Sequence, residues 1–438
     1  NATTGVIAIV TAGDCVITAT KAADTNYLVA TSSVTITIAK ASQSTLNATV
    51  DHASVTYGDG TSITVSNNGG SGAGAVSYST ASSACTVDSS TGVVTVTTAG
   101  SCAVTVTKAA DTNYLVATGS TTITIAKATQ ATFIQTVNHG TVTYGDGTSI
   151  TVSYSGGSGT GAVSYSTLST TCSVDASTGV VTVITAGSCV ITATKAADTN
   201  YNVANSTGSI TINKATQATY TASKSGNTTY GSSTTITVSV TGGSGTGATS
   251  YASGNTAICT VNATTGVIAI VTAGDCVITA TKATDTNYLV ATSSVTITIA
   301  KASQATYTAS KSANTTYGSA TTITVSVTGG SGTGATSYAS GNTGICTVDA
   351  STGVITIVTA GSCVITATKA TDTNYLVATS SVTITIAKAS QATLTASKTA
   401  DTTYGSSTVV TVSTSGGSGT GSVTYASGNT AICTVNST

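Results

Sequence analysis

The stretch CTVDASTGVITIVTAGSCVITATKATDTNYLVATSSVTITIAKAS occupies residues 346–390, and close copies of it recur along the chain. Successive cysteines are separated alternately by 70 and 17 residues, which gives a period of 87 residues: Cys15, Cys85, Cys102, Cys172, Cys189, Cys259, Cys276, Cys346, Cys363 and Cys433. Lysines that follow an apolar alternating run keep the same period: Lys40, Lys127, Lys214, Lys301 and Lys388. A fixed period of this length predicts tandem domains, so fold and function belong to the repeat.

The period divides the 438 residues into four whole repeats and two halves. Whole repeats cover residues 41–127, 128–214, 215–301 and 302–388, the second half of a repeat covers 1–40, and the first half of another covers 389–438. Residues 1–43 match residues 262–304 at every position but one, where Ala23 stands against Thr284. We therefore expect a segment of a longer array.

Within each repeat the apolar residues alternate with Thr and Ser, as in Ile236, Val238 and Val240. Alternation with period two predicts half-buried strands, and turn sequences such as GGSGTGA and DASTG separate them. Repeat 302–388 divides into seven short strands. Seven strands in 87 residues predict an all-β fold of two packed antiparallel sheets, an immunoglobulin-like sandwich.

The boundaries between repeats, such as IAKASQATYT, contain neither Gly nor Pro. We expect short, stiff linkers. Laid end to end at about 3.3 Å per residue along strands, the units would form an elongated rod roughly 200 Å long.

Charged residues make up only 6% of the chain, and all of them are Lys or Asp, with a net charge of −1. This composition offers no electrostatic means of binding nucleic acid or anionic lipid, and it favours association between copies. No run approaches the 18 or so apolar residues of a membrane span. Regularly placed cysteines without CxxC pairs indicate an exported protein that matures in an oxidising compartment.

Two disulfide schemes fit the cysteine spacing, with partners either 17 or 70 residues apart. The second scheme pairs all ten cysteines within the chain, whereas the first leaves Cys15 and Cys433 single. We favour the first, because CTVDASTGVITIVTAGSC predicts a strand, a turn and a returning strand that bring both cysteines to one end of a hairpin. The two single cysteines then either lack a partner through truncation or pair between chains, Cys433 of one with Cys15 of the next.

Several segments together resemble the immunoglobulin-like tandem repeats of large bacterial cell-surface and adhesin-type proteins: GGSGTGAVSYS, ACTVDSSTGVVTV, TAGSCAVTVTKAADTNY and TTITIAKA. The resemblance covers essentially the whole chain. It implies cysteine pairs within one repeat, namely Cys85 with Cys102, Cys172 with Cys189, Cys259 with Cys276, and Cys346 with Cys363. It also implies an extracellular structural role as a fibre, stalk or filament, with any ligand bound at a tip outside this segment. That inference to function is an analogy from fold.

The motif K-A-x-D-T-N-Y recurs at residues 21–27, 108–114, 195–201, 282–288 and 369–375. A calcium site would need more than the single carboxylate that each copy offers, so we expect an Asx-type turn with the tyrosine ring packed on the sandwich. His52 and His139 occupy equivalent positions and are expected to be surface residues. We predict no metal and no cofactor.

Nothing in the sequence assembles a catalytic set: a G-x-S-x-G elbow and paired carboxylates are both missing, and we predict that the chain is not an enzyme. The alternative to a structural fibre is an adhesin whose repeats bind glycans or a protein of a host or partner cell. The sequence has no Trp and a single Phe, Phe133, which disfavours an aromatic recognition surface.

Overall fold

The computed structural model describes residues 1–437, and every regular element in that range is a β-strand. The alternating sequence explains the strands, because successive side chains of a strand point to opposite faces. In the strand Gly361–Lys369, Cys363, Ile365 and Ala367 are buried and the residues between them are not. The predicted all-β class is confirmed.

One compact unit comprises Asn1–Thr216 and Thr284–Leu289. Its first half-repeat contains β1 (Gly13–Lys21) and β2 (Ala30–Ile38). Repeat 41–127 contains β3 (Leu46–Val50), β4 (Ser54–Thr56), β5 (Ile63–Gly69), β6 (Val76–Thr80), β7 (Cys85–Val87), β8 (Val93–Val96), β9 (Gly100–Lys108) and β10 (Ala117–Ala126). Repeat 128–214 contains β11 (Phe133–Val137), β12 (Thr141–Thr143), β13 (Ile150–Gly156), β14 (Val163–Thr167), β15 (Cys172–Val174), β16 (Val180–Val183), β17 (Gly187–Lys195) and β18 (Ala204–Asn213).

The second compact unit comprises Gln217–Ala283 and the described residues from Val290 onward. Repeat 215–301 contributes β19 (Tyr220–Lys224), β20 (Thr228–Thr229), β21 (Val238–Gly242), β22 (Thr249–Ser253), β23 (Cys259–Val261), β24 (Ile268–Ile270), β25 (Gly274–Lys282) and β26 (Ala291–Ala300). Repeat 302–388 contributes β27 (Tyr307–Lys311), β28 (Thr315–Thr316), β29 (Ile323–Gly329), β30 (Thr336–Ser340), β31 (Cys346–Val348), β32 (Val354–Ile357), β33 (Gly361–Lys369) and β34 (Ala378–Ala387). The last half-repeat contains β35 (Leu394–Lys398) and β36 (Val412–Gly416).

Repeat 41–127 shows the topology that the whole repeats share. One sheet has the strand order β3-β5-β8-β7 and the other has the order β4-β10-β9-β6. If the strands other than β4 are lettered A to G along the chain, these orders are A-B-E-D and G-F-C, the arrangement of an immunoglobulin constant-type sandwich. In repeat 215–301 the first sheet consists of two strand pairs connected by a bridge between Thr237 and Val267.

Each whole repeat has one strand that the sequence did not predict. It follows the opening strand, is two or three residues long, and pairs in parallel with the last strand of the repeat, as Ser54–Thr56 does with β10. Each whole repeat therefore has eight strands. The seven predicted strands of repeat 302–388 are all present, and β28 is the addition.

Each whole repeat has its own hydrophobic core between its two sheets. In repeat 302–388 the core contains Ile323, Val325 and Ile365, each at most 1% exposed, together with the two cysteines. Aliphatic β-branched side chains dominate these cores, which agrees with the low aromatic content of 4%.

Candidate functional site

Four disulfide bonds are present, each between cysteines 17 residues apart. The Cα–Cα distances lie between 5.7 and 6.0 Å, within the usual range for a disulfide. All eight bonded cysteines are buried in the cores. No disulfide joins cysteines 70 residues apart in the described part of the chain.

The position of the disulfide differs from the hairpin that we expected. Cys85 begins β7 and Cys102 lies in β9, and these strands belong to opposite sheets of the sandwich. The hairpin itself exists, but it pairs β7 with β8, with Cys85 opposite Val96. The chain then crosses to the other sheet before it reaches Cys102, so each disulfide joins the two layers of a repeat.

The D-T-N-Y segments, hereafter the DTNY loops, form the predicted Asx-type turn. In the loop 198–201, Asp198 Oδ1 accepts hydrogen bonds from the backbone N–H groups of Asn200 and Tyr201, at 2.9 and 2.8 Å. The backbone N–H of Asp198 donates in turn to the carbonyl of Tyr201 at 3.1 Å. These bonds fix the loop locally, because an Asp side chain readily bonds the backbone two residues on.

Each DTNY loop of the whole repeats also contacts the preceding repeat through its asparagine. The partner is the alanine of an Ala-Gly dipeptide, hereafter the AG bend, where the glycine has positive φ, as Gly100 does at +146°. The backbone N–H of Ala99 donates to Asn200 Oδ1 at 2.9 Å. The same bond recurs from Ala12 to Asn113, from Ala186 to Asn287 and from Ala273 to Asn374, at 2.7 to 2.8 Å.

The tyrosine of the DTNY loop makes a second contact with the preceding repeat. The rings of Tyr57 and Tyr201 meet edge to face, with centroids 5.7 Å apart and planes at 83°. Tyr144 with Tyr288 and Tyr230 with Tyr375 repeat this geometry. We expected the loop tyrosine to pack on its own sandwich, whereas the structure places it against the T-Y-G tyrosine of the repeat before it.

The first residue of each whole repeat holds the DTNY loop of that repeat. The backbone N–H of Ala128 donates to the carbonyl of Asn200, and the Ala128 carbonyl accepts from the N–H of Asn202, both at 2.9 Å. Lys127 Nζ donates to the carbonyl of Asp198 at 2.5 Å. The loop therefore sits where one repeat ends and the next begins, bonded on both sides.

Hydrogen bonding sets the acidity of the loop aspartates. The backbone N–H of Thr160 donates to Asp198 Oδ2 at 2.6 Å, and this bond is the main cause that lowers the pKa of Asp198 to about 2, with the N–H groups of Asn200 and Tyr201 adding to it. In the D-x-x-T-G turns, bonds from Ser90 and Thr91 likewise lower the pKa of Asp88. These carboxylates are ionised turn-forming groups at neutral pH.

The two single cysteines and the two histidines that the sequence singled out form no site together. Cys15 and Cys433 carry free thiols, half-buried and exposed respectively. His52 lies on the surface, with its Nδ1 3.3 Å from Asp51 Oδ1. His139 is also exposed. Residues 1–437 contain no group of three or more His, Cys, Asp or Glu side chains arranged to hold a metal ion. Over the same range no helix is long and apolar enough to cross a membrane.

The contacts between repeats were not found from the sequence. The two residues of each hydrogen bond lie 101 positions apart, more than one period, and the donor is a backbone group. The available signal was the exact repetition of D-T-N-Y and T-A-G in every copy. The repetition indicated that both segments are structurally important, but it did not indicate that they contact each other.

Taken together, the sheets and the disulfides between them define a class: tandem immunoglobulin-like sandwich repeats. No protein family and no curated protein matches this sequence. Solved structures with a similar arrangement include Drosophila N-cadherin EC1-4, at 11% identity and TM-score 0.24, covering 72% of this chain and 92% of that one. Surface layer protein SbsC, domains 1–6, has 17% identity, TM-score 0.20 and coverages of 84% and 63%. The four N-terminal Ig domains of Dscam1 isoform 6.44 have 10% identity, TM-score 0.22 and coverages of 79% and 100%. At such TM-scores the likeness says nothing of function.

Proposed function

We propose that this chain is an extracellular structural protein, exported through an oxidising compartment, whose disulfide-stapled repeats associate into a fibre, stalk or filament at the cell surface. The bacterial surface repeats that its sequence resembles serve as shafts, and we propose the same role for this chain. It assigns no catalysis to the chain and no bound cofactor. The elongation expected from the sequence remains part of this proposal.

The observation that carries the proposal is the repeated bond between an AG bend and the next DTNY loop. Four such bonds, with three tyrosine pairs beside them, occur at equivalent positions. A fixed contact at each junction restrains the motion of neighbouring repeats. An array that bears load requires such a restraint, whereas a set of independent binding modules does not. The disulfides limit how far each repeat can extend under tension.

Association between copies is supported by the composition of the chain. Charged residues make up only 6% of it and the net charge is −1, so copies repel one another little.

A covalent link between copies belongs to the same proposal. In a sandwich completed from two copies, Cys15 of one takes the position 17 residues after Cys433 of the other. Bond formation removes two protons and two electrons from the two thiols. A low-molecular-weight disulfide such as oxidised glutathione accepts them and is reduced to two thiols.

One observation favours the second candidate, an adhesin whose repeats bind glycans or a partner-cell protein. The apolar pair after the DTNY loop is exposed in several repeats, as Leu115 and Val116 are, at 47% and 58%. The pairs at residues 289–290 and 376–377 repeat it. Such pairs are smaller than a usual binding patch, so the structural role remains the primary proposal.

Electron microscopy and sedimentation of the purified chain, at rising concentration and with oxidised glutathione, test the proposal. We expect end-to-end assemblies that lengthen with concentration and resist dilution once oxidised. A chain that stays monomeric at the highest concentration would contradict self-association. Binding of that monomer to glycans or to cell surfaces would favour the adhesin.

A further inference from the structure

A groove lies on one sheet of repeats 128–214 and 215–301, between the loop that begins at the T-Y-G tyrosine and a central strand of the sheet. Its volume is about 370 Å³ in the first of these repeats and about 430 Å³ in the second, a size typical of ligand sites. In repeat 215–301 one wall is the loop 230–235, and the other is β24 with its neighbours Val267 and Val271. We call this feature the TYG groove.

The TYG groove of repeat 215–301 opens because its loop keeps a hydrogen bond that the sheet would otherwise use. The N–H of Ile268 donates to the carbonyl of Ile236 at 2.9 Å. Bonded residues of an antiparallel pair recur at every second position, so the next partners in register are Thr234 and Ile270. The N–H of Thr234 donates instead to Ser232 Oγ at 3.1 Å. The loop therefore turns away before it can pair with Ile270.

Repeat 128–214 reaches the same geometry with a different side chain. Ile150 lies opposite Val181, so the register would continue from Thr148 to Val183. The N–H of Thr148 donates instead to Asp146 Oδ1 at 2.8 Å. Two unlike loop sequences thus leave the same position of the central strand without its partner.

The consequence is a pair of free backbone groups at the groove. The N–H of Val271 donates to the carbonyl of Ile258 beside β23, on the other side of the strand. Because successive residues of a strand direct their backbone groups to alternate sides, the N–H and C=O of Ile270 face the groove. Neither group has a hydrogen-bond partner among residues 1–437. Ile270 is half-buried, and polar backbone groups inside a sheet are nearly always paired.

This arrangement of donor and acceptor matches one kind of ligand. The N–H and C=O of one strand residue lie on the same side, spaced to exchange two bonds with one residue of an extended peptide. An unpaired strand edge binds such a peptide as an added strand. Among the described lining residues, the groove of repeat 215–301 has no charged side chain, and that of repeat 128–214 has only Asp146. Nothing in either groove would pair with an acidic side chain.

We infer that the TYG groove binds an extended peptide without acidic residues, which adds as a strand to the free edge of β24 or β16. In repeat 215–301 one residue of the peptide accepts a hydrogen bond from the N–H of Ile270 and donates one to its C=O. The hydroxyls of Ser233 and Thr235, which have no partner among the described residues, border the bound peptide. The inference concerns a partner chain and does not rest on the proposed self-association.

The test uses the full chain and a fluorescent reporter. The sequence contains no Trp, so a single introduced Trp reports its own surroundings. Ser233→Trp places the reporter in the groove. Thr256→Trp is the matched control, because Thr256 is exposed, makes no hydrogen bond and lies outside the groove lining. The probe is the acetylated and amidated peptide Lys-Thr-Val-Thr-Val-Thr-Lys, and a second peptide of this sequence is N-methylated at every residue between the lysines.

Hydrogen exchange gives a second readout on the chain without substitutions, where no Trp side chain occupies the groove. We expect the Ile270 amide to exchange quickly in the free chain and more slowly once the unmethylated peptide is added. The amide of Ala269, which pairs with Thr260 in β23, is the internal control and should be protected in both states.

The reporter in Ser233→Trp should change its emission with the unmethylated peptide, and the methylated one should bind about tenfold more weakly or worse, since it has lost its donors. The Thr256→Trp chain should show no change with either peptide. Unchanged melting temperatures will show that both variants fold.

An emission change of equal affinity with both peptides, or one that also occurs in the Thr256→Trp chain, would overturn the inference. So would exchange at Ile270 that the unmethylated peptide leaves unaltered. A chain that assembles without binding the peptide would overturn the inference and leave the proposed self-association standing. A chain that binds the peptide and stays monomeric would support the inference and contradict the self-association.

Discussion

Asn200 Oδ1 accepts a hydrogen bond at 2.9 Å from the backbone N–H of Ala99, which lies 101 residues earlier in the chain. The bond joins one repeat to the next through a side chain at the tip of a tight turn. The acceptor is fixed because Asp198 holds the turn, and the donor lies in a bend that requires glycine at position 100. The junction is thus built from locally determined parts.

Removing the Asn200 side chain should loosen the junction. We expect Asn200→Ala to cost about 1 kcal/mol in unfolding free energy, since the N–H of Ala99 loses its acceptor. Hydrogen exchange at the Ala99 amide should accelerate before any global effect is seen. Thr199→Ala, in the same loop but with no side-chain hydrogen bond, should leave that exchange unchanged. Equal exchange in both variants would contradict the assigned bond.

The contact between Tyr57 and Tyr201 should be measurable as a coupling energy. A double-mutant cycle with Tyr57→Ser and Tyr201→Ser should give about 0.5–1.5 kcal/mol, typical of edge-to-face aromatic pairs. Chemical denaturation of the four proteins provides the values. Strict additivity of the two substitutions would mean that the rings contribute only through burial.

The disulfide between Cys172 and Cys189 should stabilise its repeat chiefly by restricting the unfolded chain. For a loop of 17 residues we expect the double substitution to serine to cost about 3 kcal/mol in denaturant unfolding. The control is Cys15→Ser, which removes a free thiol and should leave the stability of repeat 128–214 unchanged. A loss of unfolding free energy below about 1 kcal/mol would contradict the stabilising role that we assign to the disulfide of each repeat.

Gly92 should not tolerate a side chain. Its φ is +76°, and an added Cβ would lie 2.1 Å from the carbonyl oxygen of Val65. We expect Gly92→Ala to destabilise repeat 41–127 by about 2 kcal/mol or more. Gly140→Ala is the matched control, because that glycine has no positive φ and has open space around it. Thermal unfolding of the two variants should differ clearly, and similar melting temperatures would refute the turn geometry.

Stability should fall on acidification below about pH 4, because folding lowers the pKa of several aspartates. Asp198 has a pKa of about 2 in the folded chain and an ordinary value of 3.8. Between these values the unfolded chain binds more protons, so the contribution of Asp198 is present above pH 3.8 and is lost as the pH falls toward 2. Denaturation at pH 6, 4 and 2 measures the loss, which Asp198→Asn should reduce. A pH-independent stability over this range would contradict the assigned hydrogen bonds.

The sequence predicted the parts of the fold that depend on local periodicity. The alternation in segments such as Ile323–Gly329 predicted both that the segment is a strand and which of its side chains face the core. The period of the cysteines predicted the length of the repeat. The short strand Thr315–Thr316 was missed because two residues carry no periodicity. The disulfide was expected at the end of a hairpin, but Gly361–Lys369 crosses to the other sheet, a choice that depends on tertiary packing.

The site was harder to predict for a related reason. The Asx-type turn of residues 372–375 is local and follows from Asp372 alone. Its two contacts with the preceding repeat, to Ala273 and Tyr230, depend on how neighbouring sandwiches meet. No pattern within one repeat encodes that arrangement.

Isotope-resolved disulfide mapping shows whether copies of this chain associate and become linked between Cys433 and Cys15. Equal amounts of unlabelled and ¹⁵N-labelled chain are mixed, assembled with oxidised glutathione and digested without reductant. We expect peptides linking Cys433 to Cys15, about half of them joining a labelled to an unlabelled partner, beside four pairs within repeats that never mix labels. Assembled material in which Cys15 and Cys433 remain free or capped by glutathione, or in which their linked peptides never mix labels, would contradict such a link between copies.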